Sequence, residues 1–237
     1  MKQSFKPFRV AGAIALLLTG VGIGIAQAQQ PSVPERVAAL KASLAASKVI
    51  LRQYEWIETT VVSLRGEERS RKQERCYYGA DGKLQKIEIA ASPEPEKKRG
   101  LRGRIIAKKK EELTDYMKNA VSLVKTYVPP SPTKIQAALG AGKVTIEMLG
   151  PGKRVRLNFR DYEKAGDNLG VEVDLVNNRA LGANVSTYLN DAADAVMLDV
   201  RMGRLSDGTT YASDITLDAK AKNLRVTVQN SGYRKAK

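Results

Sequence analysis

The sequence predicts an α+β protein in which a curved, mostly antiparallel β-sheet of about ten strands, a half-barrel, has three helices covering its concave face. The main observation is a series of about seven short strands between Lys143 and Val228, with turn residues and no helix between them, a pattern typical of antiparallel neighbours. In addition, one face of these strands is apolar and the other is charged, so helices are needed to cover the apolar face.

The N-terminal segment has the pattern of a secretory signal peptide. Three positive residues come first: Lys2, Lys6 and Arg9. An uncharged apolar run, 10–25, follows and ends at a small-x-small motif, 26–28. The run is shorter than the roughly 20 apolar residues that a membrane-spanning helix needs. We therefore expect residues 1–28 to be removed after Ala28 and residues 29–237 to form a single domain in the periplasm or outside the cell.

The composition excludes several classes of enzyme. The chain has no His, so His-based acid/base catalysis, catalytic triads and His-ligated zinc sites are ruled out. The one Cys, Cys76, cannot close an internal disulfide. Four carboxylates could be considered for catalysis, but all are in turns or on polar strand faces, where Asp is common: Asp161, Asp167, Asp174 and Asp191. The sequence thus predicts a protein that is not an enzyme and uses no metal or cofactor.

The first third of the mature chain has the pattern of a helix followed by a three-stranded meander. Ser32 and Glu35 form a capping-box pattern at the start of the helix, which continues to Leu51 with apolar residues on one side. From Tyr54 the periodicity changes to two, and the turn 79–82 separates the second strand from the third.

A basic segment, residues 92–110, follows this meander. Because its like charges repel one another, we expect an extended loop that passes into a helix at about Lys108. Pro129-Pro130 stops that helix, and a short third helix ends at Gly140. The loop is either solvated without function or a contact for an anionic membrane surface. Eight cations would make that contact: Lys97, Lys98, Arg99, Arg102, Arg104, Lys108, Lys109 and Lys110.

The C-terminal strands carry a resemblance to a known family. The pair Val173-Asp174 at the end of a strand, the turn Asp207-Gly208-Thr209 before the strand 211–217, and a last strand followed by 230–233 resemble the periplasmic lipoprotein-localisation carriers, the LolA-like superfamily. The resemblance implies one half-barrel domain over residues 29–237, with a concave apolar face that holds acyl chains beneath helices.

Two functions are open at this point. The first is a monomeric carrier or binding protein for a lipid or a lipidated partner. Its apolar groove would include Trp56, Val62, Val155, Leu157, Phe159, Val173, Leu198 and Val200. The alternative is a basic cell-envelope protein, without enzymatic activity, that binds a polyanion or an acidic protein through Arg154, Arg156 and Arg160. Nucleic acid is not expected as a partner, because export removes the chain from it.

Overall fold

The computed structural model describes residues 33–92, 100–150 and 154–236, which all belong to one compact unit, Ser32–Lys237. The expected signal peptide lies outside these residues. The helices are α1 (Val33–Leu51), α2 (Gly100–Val124) and α3 (Pro132–Gly140), with a short 3-10 helix at Lys220–Lys222. The strands are β1 (Tyr54–Leu64), β2 (Glu67–Tyr78), β3 (Leu84–Ala91), β4 (Val144–Met148), β5 (Arg154–Arg160), β6 (Asn168–Asp174), β7 (Arg179–Tyr188), β8 (Ala195–Arg204), β9 (Thr210–Ala219) and β10 (Leu224–Lys235).

The ten strands form one antiparallel sheet in the order β3-β2-β1-β10-β9-β8-β7-β6-β5-β4. Each meander pairs strand by strand along the chain, and β1 joins the two by pairing with β10 over most of its length. The sheet does not close, because β3 and β4 remain at its two edges. The predicted fold class, an α+β half-barrel with a curved antiparallel sheet, is confirmed.

The start of α2 differs from the sequence prediction. The helix begins at Gly100, so the extended loop expected up to residue 107 is wrong from that point onward. Helical spacing explains the difference, because Ile106 lies on the same side of the helix as Leu113, Ala120 and Val124. This apolar periodicity begins before the lysines, and the charge repulsion that favoured a loop is small beside it.

The strand register aligns apolar side chains in rows across the concave face. The central row runs over eight strands, from β1 to β4: Val62, Val226, Leu217, Leu198, Val185, Leu169, Phe159 and Val144. Because side chains alternate along a strand, a shared row means a shared face. Its middle members are almost inaccessible to solvent, whereas Val62, Val226 and Val144 at its ends are half-buried.

The helices cover the middle of this face. Ala120 and Val124 of α2 and Ile135 and Ala138 of α3 are buried in one cluster with β5–β9. Helix α1 packs with Leu40 against the same cluster. At its other end, the hydroxyl of Ser47 accepts a hydrogen bond from the backbone N–H of Thr210, at 3.1 Å. Helix cover is therefore concentrated over β5–β9.

Candidate ligand-binding face

A second row of side chains, next to the central one, is less completely covered. We call it the concave stripe. It consists of Thr60, Val228, Ile215, Val200, Ala183, Val171 and Leu157. Only Val171 among them is buried, and the other six are half-buried. The stripe crosses seven strands, β1 to β5, and at about 4.8 Å per strand interval it is about 29 Å long. It ends beside Ile146 of the edge strand β4, which is exposed.

The groove residues named from the sequence fall into four environments. Four of them are buried in the helix-covered core: Val155, Phe159, Val173 and Leu198. Leu157 and Val200 are in the concave stripe, and Val62 ends the central row. Trp56 is also buried, but it contacts aromatic rings near the start of β1. The register thus places the strand residues on one face, while the helices leave only part of that face accessible.

An aromatic cluster surrounds Trp56, the one tryptophan of the chain. Its indole ring stacks on Tyr233 with 5.4 Å between ring centroids and is 6.0 Å from the ring of Tyr78. Cys76, the cross-strand partner of Trp56, is fully buried. Burial raises the pKa of its thiol to about 11, so the thiol is protonated at neutral pH and poorly nucleophilic. Cys76 therefore has a packing role here.

Charged side chains continue the concave face on β2 and β3. Lys72 forms ion pairs with Glu74 at 2.7 Å and with Glu88 at 3.3 Å. Lys86 pairs with Glu58 of β1 at 2.5 Å. The concave face is therefore apolar from β10 to β5 and ionic from β2 to β3, which gives an amphipathic surface with one apolar and one polar end.

The basic segment is exposed where its side chains are described. Every residue from Arg104 to Glu112 is exposed, including Ile105 at 58% and Ile106 at 47%. The side chains of Arg104, Lys108, Lys109 and Lys110 form no ion pair within the described part of the chain. Arg102 lies in α2, where only its backbone is described. Three of the predicted cations lie outside the described residues: Lys97, Lys98 and Arg99.

The three arginines of β5 that were considered for polyanion binding do not form one group of unpaired positive charges. Arg156 is held by Glu172 at 2.6 Å and by Glu147 at 3.1 Å, and the pKa of its guanidinium is raised mainly by the hydrogen bond with Glu172. Arg154 and Arg160 at the two ends of β5 are exposed. An ion-paired central arginine leaves a weaker anion site than the sequence pattern suggested.

Asp167, one of the carboxylates considered for catalysis, organises the turn between β5 and β6. The carboxylate is only 2% exposed and accepts hydrogen bonds from the backbone N–H groups of Tyr162, Glu163 and Lys164. The hydroxyl of Tyr127 donates to it at 2.6 Å, and burial together with this contact raises the pKa of Tyr127. The sequence showed only an Asp beside a turn, because the partner Tyr127 is 40 residues away.

Two clefts lie at the rim of the sheet, and neither includes a residue of the concave stripe. One, of about 610 Å³, is at the β1–β2 and β9–β10 turns and is lined by Arg65, Lys220 and Arg225 among others. The second, of about 430 Å³, is between Tyr116 of α2 and the β7–β8 turn. Among residues 33–92, 100–150 and 154–236 there is no group of three His, Cys, Asp or Glu side chains placed to hold a metal ion. No helix in these ranges is both long and apolar enough to span a membrane.

Comparison with known proteins finds low similarity to a few solved structures. No protein-family model matches the chain, and no curated protein matches it. Among solved structures, the chain is similar to a LolA superfamily protein from Nitrosomonas europaea, with a TM-score of 0.34, 10% identity, and coverage of 84% of this chain and 94% of that one.

Two further structures are similar to a comparable degree. An outer membrane lipoprotein-sorting protein domain from Vibrio parahaemolyticus has a TM-score of 0.35 and 10% identity over 84% of this chain and 93% of that one. A DUF1329 family protein from Desulfovibrio piger has a TM-score of 0.31 and 10% identity over 83% and 93%. The superfamily named from the sequence is thus among these similar structures. TM-scores of this size carry no conclusion about function, which depends on the chain's own residues.

Proposed function

We propose that this protein is a periplasmic or secreted carrier or binding protein for a lipid or a lipidated partner, and that acyl chains lie along the concave stripe. One observation carries the proposal: in the concave stripe, six of seven side chains are half-buried, and all but Thr60 are apolar, on the inner face of a sheet whose middle is covered by helices. A row that only filled the core would be buried throughout, as the central part of the neighbouring row is.

The dimensions of the stripe fit this cargo. Its length of about 29 Å exceeds the about 15 Å depth of one leaflet of a bilayer's hydrocarbon core, so an extended acyl chain can lie along it. Covering these side chains removes apolar surface from water, which is the main favourable term in binding an acyl chain. The ionic surface formed by Lys72, Lys86 and their carboxylate partners lies beyond the β1 end, where a polar headgroup would remain hydrated.

The polyanion alternative receives less support from the structure. Net charge favours it, since the chain carries 40 basic and 25 acidic residues. The arginine pattern on β5, however, is interrupted by the ion pairs of Arg156.

A matched pair of threonines tests the cargo proposal. Thr60 and Thr59 are neighbours on β1, both half-buried, and their side chains point to opposite faces of the sheet. Thr60→Glu places a carboxylate in the stripe and should weaken binding of a fluorescent long-chain fatty acid about tenfold or more, because an acyl chain would desolvate the charge. Thr59→Glu should leave binding unchanged.

Native mass spectrometry supplies the second readout. Protein purified from cells should carry a non-covalent mass in the range of an acyl lipid, and this mass should be missing from the Thr60→Glu variant. Equal fatty-acid binding by the two variants, or no binding by the parent protein, would contradict the proposal. Salt-sensitive binding to heparin by a protein that takes up no lipid would favour the alternative.

A further inference from the structure

The first half of α2 is a long amphipathic surface that leaves the body of the protein. The helix has 25 residues, of which those from Met117 onward contribute to the core. Residues 104–112 are exposed on every side. At 1.5 Å per residue, the part between Gly100 and Glu112 is about 20 Å long.

The apolar face of the buried second half of α2 continues into its exposed first half. Ile106 is on the side of the helix that, further along, packs Ala120 and Val124 into the core, and Ile105 is next to it. Buried Ala120 and Val124 are 0% and 6% exposed, whereas the two isoleucines are about half exposed. The same face of α2 therefore packs against the core at its C-terminal end, whereas at its N-terminal end it packs against no described residue.

The charges around these isoleucines are almost all positive. Arg104, Lys108, Lys109 and Lys110 are exposed and are not ion-paired with any described residue, and Arg102 belongs to the same helix. Lys109 lies between the two isoleucines on the helix surface, where its long apolar stem can follow them while its ammonium group stays in water. Glu111 and Glu112 end the basic stretch and limit how much of the helix can approach a negative surface.

The sequence of the first half of α2 has features that destabilise a helix exposed to water. Its first turns contain Gly100 and Gly103, which disfavour helix, and no acidic residue stands in the first turn. Cations near a helix N-terminus oppose the helix dipole. An anionic surface offsets this unfavourable charge arrangement and also accepts the apolar side chains.

From these observations we infer that the first half of α2 docks on anionic lipid bilayers, with Ile105 and Ile106 inserted at the level of the headgroups and the surrounding lysines and arginines on the phosphates. A basic helix with a few apolar residues on one side is the type of segment that lies in the plane of a membrane interface. This contact would place the protein beside a membrane whether or not it holds cargo.

The test is co-sedimentation of the full-length protein, purified without bound lipid, with vesicles of phosphatidylglycerol and phosphatidylethanolamine, compared with vesicles of phosphatidylcholine alone. The parent protein should bind only the anionic vesicles. Replacing three lysines (Lys108→Gln, Lys109→Gln, Lys110→Gln) should weaken this binding about a hundredfold, since each cation near an anionic surface contributes about one factor of five.

Two controls separate the docking helix from net charge and from general hydrophobicity. The substitutions Lys83→Gln, Lys125→Gln and Lys220→Gln remove the same charge from exposed sites elsewhere and should have a small effect. The pair Ile105→Ser and Ile106→Ser should also weaken binding, whereas Val176→Ser, at an apolar site that is 62% exposed in a turn, should not.

Equal losses in the two lysine triples would mean that net charge alone attracts the protein, and would overturn the inference. Unchanged binding in the isoleucine variant, or binding of the parent protein to neither vesicle, would overturn it as well. All substituted residues are exposed, and equal thermal unfolding of the variants checks that they fold. Fatty-acid binding by the same variants should be normal, so failure of this inference is distinguishable from failure of the cargo proposal.

Discussion

At the scale of single residues, Asp167 shows how one buried carboxylate can organise local structure through its hydrogen bonds. Its buried carboxylate connects the end of α2, through Tyr127, to three consecutive N–H groups of the β5–β6 turn. Tyr127 also contacts the hydroxyl of Thr187 on β7 at 2.7 Å. Asp167 therefore helps to hold the segment that follows α2 against the sheet, in addition to the core contacts of Ala120 and Val124.

Removing this carboxylate should destabilise the fold. Asp167→Ala would leave three buried or part-buried N–H groups without their acceptor and would remove one hydrogen bond of the buried Tyr127 hydroxyl, so we expect the free energy of unfolding to fall by about 3 kcal/mol or more. Urea denaturation followed by circular dichroism measures it. Asp191→Ala, at an exposed turn carboxylate that caps two N–H groups, is the control and should cost less than about 1 kcal/mol. Similar losses in both variants would show that Asp167 is an ordinary turn residue.

The sequence predicts on which face of a strand a residue lies, but not how deeply the residue is buried there. The alternation in β5 correctly separated Val155 and Phe159 from the arginines, because a strand has a period of two. The same pattern could not distinguish a residue beneath a helix from one beside an open groove, since both are apolar and face inward. Phe159 is buried and Leu157 on the same face of β5 is half-buried, and how completely each is covered is a property of the packed chain.

At the scale of elements, the first strand is fastened to the β8–β9 turn by one hydrogen bond. The hydroxyl of Tyr54 donates to the carboxylate of Asp207 at 2.7 Å. This contact, with the backbone N–H of Thr209 as the next contribution, lowers the pKa of Asp207 from 3.8 to about 2. A carboxylate whose pKa is lower in the folded state stabilises the fold when it is ionised.

The sign of the pH dependence follows from that shift. The contribution of Asp207 is complete above its unfolded pKa of 3.8 and is lost as the pH falls towards about 2. Tyr54→Phe removes the largest cause of the shift. The difference in free energy of unfolding between the parent protein and this variant should therefore be greatest above about pH 4 and should shrink between about pH 4 and pH 2.

Guanidinium denaturation at several pH values measures this difference, and Tyr188→Phe is the control. The hydroxyl of Tyr188 donates to the backbone carbonyl of Ala165, which does not titrate, so the effect of that variant should not change over the same pH range. A Tyr54→Phe effect that is constant with pH would show that the hydrogen bond to Asp207 is not made in solution.

Among the elements, the strands were easier to predict than the bounds of α2. Turn chemistry such as Asp81-Gly82 and Asp207-Gly208 marks the ends of strands directly, because few residues accept these backbone conformations. The predicted start of α2 was too late in the chain, because the repulsion between its many positive charges favoured a loop. The helical spacing of its apolar residues, which begins at Ile106, indicates the helix that is present. A helix that projects from the body can keep its lysines solvated while its isoleucines retain helical periodicity.

At the scale of the whole molecule, the ten-stranded sheet extends beyond the strands that the helices cover. The helices pack over β5–β9, while the pairing of β1 with β10 extends the same face by the strands of the first meander. The sequence predicted the number of strands and their antiparallel order, since short connections leave few other topologies. It could not predict which part of the concave face stays accessible, because that depends on where three helices come to rest.

The accessible part of the concave face is central to the proposed function, and its occupancy can be mapped directly. The measurement is photo-crosslinking of the full-length protein to a fatty acid that carries a diazirine on its chain, followed by mass spectrometry of the labelled peptides. The labels should fall on stripe residues of β8, β9 and β10, above all Val200, Ile215 and Val228, and an excess of unlabelled fatty acid should displace them. Labels confined to the convex face or to the rim clefts, or labelling that excess fatty acid does not reduce, would contradict the proposal that the concave stripe holds acyl chains.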